Sequence, residues 1–145
     1  MPMLALVLAA SVAGGRSAEP PPCSGATTPA VEQCLAERLT RAEADLARYV
    51  AAAERRLRDE TGEDPAAERA RRGFAAAERA WAAYRDAECA AVFERWSGGT
   101  IRGSQELTCR IRLTLRHTHT VWAEWLTYMD STSPILPEPA VPPDA

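Results

Sequence analysis

The chain has 145 residues, a formal net charge of −3 and a sequence pI near 5.5, with 46% hydrophobic and 26% charged residues. That length fits one domain, and the acidic balance excludes a strongly basic nucleic-acid binder, whose phosphate contacts need a dense cationic surface. All 17 basic residues are Arg, which excludes lysine chemistry, and no apolar run reaches the roughly 20 residues of a membrane span.

From the N-terminus, Met1 to Ala13 holds an apolar stretch that ends in small side chains, the length and flank of a signal-peptide h-region. Residues 1–18 are therefore read as an export signal, with Ser11-Val12-Ala13 as a small-x-small cleavage site. Cys23, Cys34, Cys89 and Cys109 form an even set without a C-x2-C pair, which favours disulfides in an oxidising compartment over zinc. The expected location is periplasmic or extracellular.

The middle of the chain has helical periodicity throughout. Val31, Leu35, Leu39, Ala42, Leu46, Tyr49, Ala53 and Leu57 recur at three- and four-residue intervals, with Thr28 as N-cap and Pro29 at the first helical position. Gly62 ends this helix, and Asp64-Pro65 caps the next. The second stripe is read as Phe74, Ala77, Trp81, Tyr84, Glu88 and Val92, stopping at Ser97-Gly98-Gly99. A third helix is predicted from about Ser104 to Asp130, with Leu107, Ile111, Leu115, Thr118, Trp122, Trp125 and Met129 on one face.

The fold class is all-α: an elongated antiparallel three-helix bundle stapled by two disulfides at one end, because folding back at 62–64 and again at the glycine loop gathers Cys34, Cys89 and Cys109 there. Three pairings of the four cysteines remain open. The loop from Trp96 to Ser104 carries three glycines permissive of positive φ and projects the polar groups of Ser97, Thr100 and Arg102 from this end. Residues 131–145, rich in proline, are predicted to form an extended, solvated, disordered tail.

The run Trp81-Ala-Ala-Tyr84-Arg85-Asp86-Ala-Glu88-Cys89 resembles the W-x-x-Y-R-D-x-E-C signature of the bacterial envelope family named for the lysozyme inhibitor LprI. Cys23 and Cys34, Asp45-Leu46 with Tyr49, Ser97-Gly98-Gly99-Thr100, and Cys109 with Leu113-Thr114 follow that family's order. Glu78 stands where the family has Gln. The resemblance implies a helical domain over 23–130 with Trp81, Tyr84, Arg85, Asp86 and Glu88 as structural signature residues. It also implies binding of a c-type lysozyme, with a non-catalytic structural or interaction module of the cell envelope, meeting another envelope protein, as the alternative.

The residues themselves point away from catalysis, since no nucleophile–base pair, phosphate cradle or cleft carboxylate pair is recognisable. His117 and His119, two apart on a helix, face different ways and do not chelate one ion together, so no metal or other cofactor is expected. Trp81 and Tyr84 are expected in the core. Arg85 is expected to satisfy Glu88 on its own helix or Asp45 across the hairpin. An acidic chain is attracted to basic c-type lysozymes, and Arg102, Ser97 and Thr100 are the expected contacts with the paired carboxylates of such an enzyme.

Overall fold

The structure, a computed structural model, describes residues 23–25, 27–59 and 64–141. The predicted export signal at 1–18 and the predicted stop at Gly62 lie outside the described residues. Three helices, α1 (Thr28–Asp59), α2 (Pro65–Arg95) and α3 (Arg102–Trp125), account for the described secondary structure. The ion pair of Glu43 with Arg85 and the packing of Leu57 with Phe74 run α1 and α2 antiparallel. The pairs Cys89–Cys109 and Phe74–Trp125 do the same for α2 and α3. α3 is the shared partner, packing most extensively on α1 and next on α2, whereas α1 and α2 touch each other little.

The α1 face follows the predicted spacing, with Leu35, Ala42, Leu46, Tyr49, Ala53 and Leu57 all buried. Its cap lies one residue earlier than predicted: Thr27 Oγ1 accepts from Ala30 N–H, so Thr28 is already helical. Asp64 caps α2 as expected, accepting from Ala66 N–H at 2.8 Å with Pro65 at the first helical position. The remaining corrections concern which face turns inward. Ala67, Phe74 and Cys89 are the buried residues of α2, which puts Trp81 and Arg85 on the inner face. Ala77, Tyr84 and Glu88 are exposed, and Tyr84 retains 55% of its surface, so it is not a core residue. Adjacent helical residues differ by about 100° in direction, and Arg85 takes the inward place that Tyr84 was expected to hold.

α3 ends sooner than predicted, at Trp125, and fully exposed Met129 lies beyond it. Its last turn is closed by Arg56 of α1, whose Nη1 donates to the carbonyls of Trp125 and Thr127 at 2.8 Å each. A cation there also complements the negative end of the helix dipole.

Over residues 131–141 the predicted tail is free of helix and largely exposed, as expected, but it is also anchored to the bundle. This segment runs back along α3: Ile135 N–H donates to Leu126 O at 2.9 Å, Trp122 Nε1 to Leu136 O at 3.0 Å, and Tyr49 Oη to Pro137 O at 2.8 Å. Proline removes donors but leaves carbonyl acceptors, and these are what the inward-facing Tyr and Trp require.

The large apolar side chains gather at one end of the bundle. Leu46, Tyr49, Leu57, Phe74, Val121 and Leu126 form the core there, with Trp81, Trp122 and Trp125 packed against it. Apolar burial thins toward the opposite end, where both disulfides lie.

Candidate interaction surface

Cys89–Cys109 joins α2 to α3 with a Cα–Cα distance of 5.6 Å, and Cys23–Cys34 ties the segment ahead of α1 to its second turn at 5.7 Å. The three open pairings thus resolve to neighbours in sequence. Both bridges sit where α1 begins, α2 ends and α3 begins, as the fold-back argument predicts.

Between these staples and the apolar core lies a polar network. Arg85, its side chain only 13% exposed, donates from Nη1 to Glu43 Oε1 of α1 at 3.0 Å and to buried Thr114 Oγ1 of α3 at 3.5 Å. Its Nε and Nη2 reach Asp86 Oδ1 at 3.1 Å each. Asp86 also accepts from Arg110 Nη1 at 2.7 Å, and Arg110 Nε donates to Glu106 at 3.1 Å. Trp81 stacks on the His117 ring at 3.9 Å between centroids, with His117 Nε2 at 3.0 Å from both carboxylate oxygens of Glu78. His119 instead faces Glu138 of the returning segment. Arg85 therefore ties all three helices, but through Glu43 and Asp86. The expected partners are elsewhere: Glu88 is exposed, and Asp45 pairs with Arg48 at 3.1 Å. The network of Glu106, Arg110, Glu78 and His117 was missed by sequence reasoning, although Glu106 and Arg110 have the i,i+4 spacing that flags such a pair.

Burial pushes the Asp86 carboxyl up, but hydrogen bonds and charge from Arg85 and then Arg110 together outweigh it and hold the group below the ordinary aspartate range. A depressed folded-state value stabilises the fold fully above the unfolded value of about 3.9 and loses that contribution as pH falls through the folded value. Asp86→Asn is thus expected to lower stability at neutral pH and to converge with the parent in strong acid, as read by urea melts across the acid range. An unchanged gap between the two proteins throughout that range would contradict the assignment.

The connection from α2 to α3 spans 96–101. It is built from successive turns, with Ser97 N–H bonded to Glu94 O at 3.0 Å and Gly99 N–H to Trp96 O at 2.9 Å. None of Gly98, Gly99 and Gly103 adopts a left-handed φ, so the conformational freedom they permit is not used here. Gly103 serves close approach instead: the Glu32 carboxylate lies against it, where a Cβ would collide, over the positive end of α3. Ser97 and Thr100 are exposed in the connection. Arg102 is also exposed but forms the first residue of α3 rather than loop, its guanidinium 4.8 Å from the Phe93 ring centroid. Sequence reasoning weighed only polar groups here and missed Trp96 and Ile101, which stand 39% and 41% exposed on either side of the turn. An aromatic placed directly before Ser-Gly-Gly was the available signal.

Fold and surface together define a small all-α module cross-linked at the end that carries its inter-helix connection. The chain belongs to the family described as lysozyme inhibitor LprI, whose model matches residues 23–120 and so takes in all four cysteines. No curated protein and no solved structure matches it.

Proposed function

We propose that this chain is an exported, non-catalytic inhibitor of c-type lysozymes that meets the enzyme with the disulfide-braced end. Membership of the lysozyme inhibitor family over residues 23–120 carries the reading. Three features of the molecule support it. Two disulfides fit an oxidising compartment. A net charge of −3 favours encounter with a basic enzyme. Trp96 and Ile101 offer exposed apolar anchors beside the polar groups of Ser97, Thr100 and Arg102, and aromatic and arginine side chains dominate the energetics of protein interfaces.

In this arrangement Trp96 and Ile101 lose water against the rim of the substrate cleft. Arg102, positioned by Phe93, presents its guanidinium toward the paired carboxylates that perform glycoside hydrolysis. Ser97 and Thr100 supply hydroxyls that donate to or accept from the cleft wall. Substrate is excluded by occupancy, and no bond is made or broken.

The test is the rate of bacterial cell lysis by a c-type lysozyme with increasing amounts of the oxidised chain. Trp96→Ala and Arg102→Ala are each expected to weaken inhibition about tenfold or more, the range of an interface anchor. Arg58→Ala, at the far end of α1, is expected to leave it unchanged. Equal potency of all three variants removes the braced end from the mechanism, and no inhibition by the parent favours the envelope-module reading.

A further inference from the structure

Among the described residues, one full face of α2 has no partner. A half-turn away from Phe74, Arg85 and Cys89, the positions Arg69, Gly73, Ala76, Ala80, Ala83, Ala87, Ala90 and Glu94 recur at alternating intervals of four and three, and every one is exposed. This is the seam spacing of paired helices. A Cβ built on Gly73 meets nothing within 4 Å, so no described residue covers this face there. The side chains of Arg69, Arg79, Tyr84 and Glu94 have no hydrogen bond or ion pair among the described residues.

We propose that this face pairs with the same face of a second copy, antiparallel, to give a twofold-symmetric dimer. The seam is an inverted repeat about the midpoint between Trp81 and Ala82. Turned end for end, Ala80 meets Ala83 of the second copy, Ala76 meets Ala87, Gly73 meets Ala90, and Arg69 meets Glu94. Antiparallel helices need this alternation, because each layer of such a pair joins an a-type position to a d-type one. The charges make the choice of partner specific: the basic end of one helix lies on the acidic end of the other, twice over, whereas a parallel pair sets Arg69 on Arg69 and Glu94 on Glu94. The flanks are complementary too. The same register brings Arg79 within reach of Asp86 of the second copy on one side. On the other side, exposed Tyr84 covers the small Ala77 and Ala80. Alanine and glycine along the seam let the two helix axes approach at the short end of the usual 8–10 Å range. Such an isologous contact closes on itself and stops at two copies.

The experiment is sedimentation of the oxidised full-length chain over a wide concentration range. A mass of twice the monomer is expected at high concentration, falling toward the monomer on dilution and sooner at high salt. Ala83→Glu sets two carboxylates across the symmetry axis and should give monomer, with helix content by circular dichroism unchanged. Glu94→Arg should weaken the dimer tenfold or more, and adding Arg69→Glu should restore it, because the double variant exchanges the charges at both ends. A monomer at every concentration overturns the proposal, as does a dimer indifferent to Ala83→Glu or a charge exchange that fails to rescue.

Discussion

Replacing Cys89 and Cys109 together by serine is expected to lower stability by about 3 kcal/mol, close to the chain-entropy value for a bridge between residues 20 apart. For a chain of this size that corresponds to a fall of roughly 10–15 °C in Tm. The large apolar side chains lie at the opposite end of the bundle, so beside this bridge the start of α3 is held against α2 mainly by polar contacts, the Asp86–Arg110 pair foremost. Both sulfurs are buried, and the two serine hydroxyls left behind add a polar burden of their own. Loss of order should therefore begin at this end, seen as faster amide exchange in the first turns of α3 than around Val121. Inhibition of lysozyme should weaken in the same variant, because Trp96, Ile101 and Arg102 all hang from this junction. A variant with parental Tm and parental exchange would show that the bridge is incidental.

Phe74→Ala should cost more, about 3–5 kcal/mol in urea or guanidinium unfolding. Phe74 is 2% exposed, sits edge-on to Trp125 at 4.9 Å between centroids, and is the one large residue that α2 buries completely in the core. Truncation opens a cavity among Leu57, Trp125 and Leu126 that rigid helices fill poorly. This loss should be global and cooperative, in contrast to the local fraying that follows removal of the disulfide. A cost below about 1 kcal/mol, the range of a surface substitution, would mean that the core lies elsewhere.

The two predictions divide the molecule as its sequence does. α1 was legible almost residue by residue, because one apolar face meets one neighbour and a three-four spacing suffices. α2 was legible in extent but rotated by one residue. Its inner face includes Arg85, which a hydrophobic pattern skips in favour of neighbouring Tyr84. Alanines all around the helix gave no contrast to correct the choice. α3 packs between two helices, so Thr114 is buried beside the expected Thr118, whose Oγ1 donates to Thr114 O at 2.9 Å, although a hydrophobic pattern passes Thr114 over. The returning segment was missed for a different reason: its hold on the bundle is made by main-chain carbonyls, which composition does not reveal.

At the braced end, the cysteines located the proposed contact surface and the family resemblance suggested its use, but neither pointed to Trp96 and Ile101. Polar groups were expected to project from a glycine loop on a disulfide-pinned base, and Ser97, Thr100 and Arg102 are exposed there. The structure adds that the connection is made of successive turns flanked by an exposed tryptophan and isoleucine, with Arg102 steadied on Phe93. Side chains held in this way lose less conformational freedom on binding than loop residues do, which favours affinity. The seam on α2 lies on a different face of the bundle, and an antiparallel dimer leaves one braced end free at each extremity.

The most direct measurement is a binding titration of the mature, oxidised chain against a c-type lysozyme at low and at moderate salt, read alongside the rate of cell lysis. Saturable binding that weakens as salt screens the opposite charges, with lysis slowing in proportion to occupancy, is the result expected here. Absence of binding at both salt concentrations, with lysis proceeding at its full rate, would contradict it.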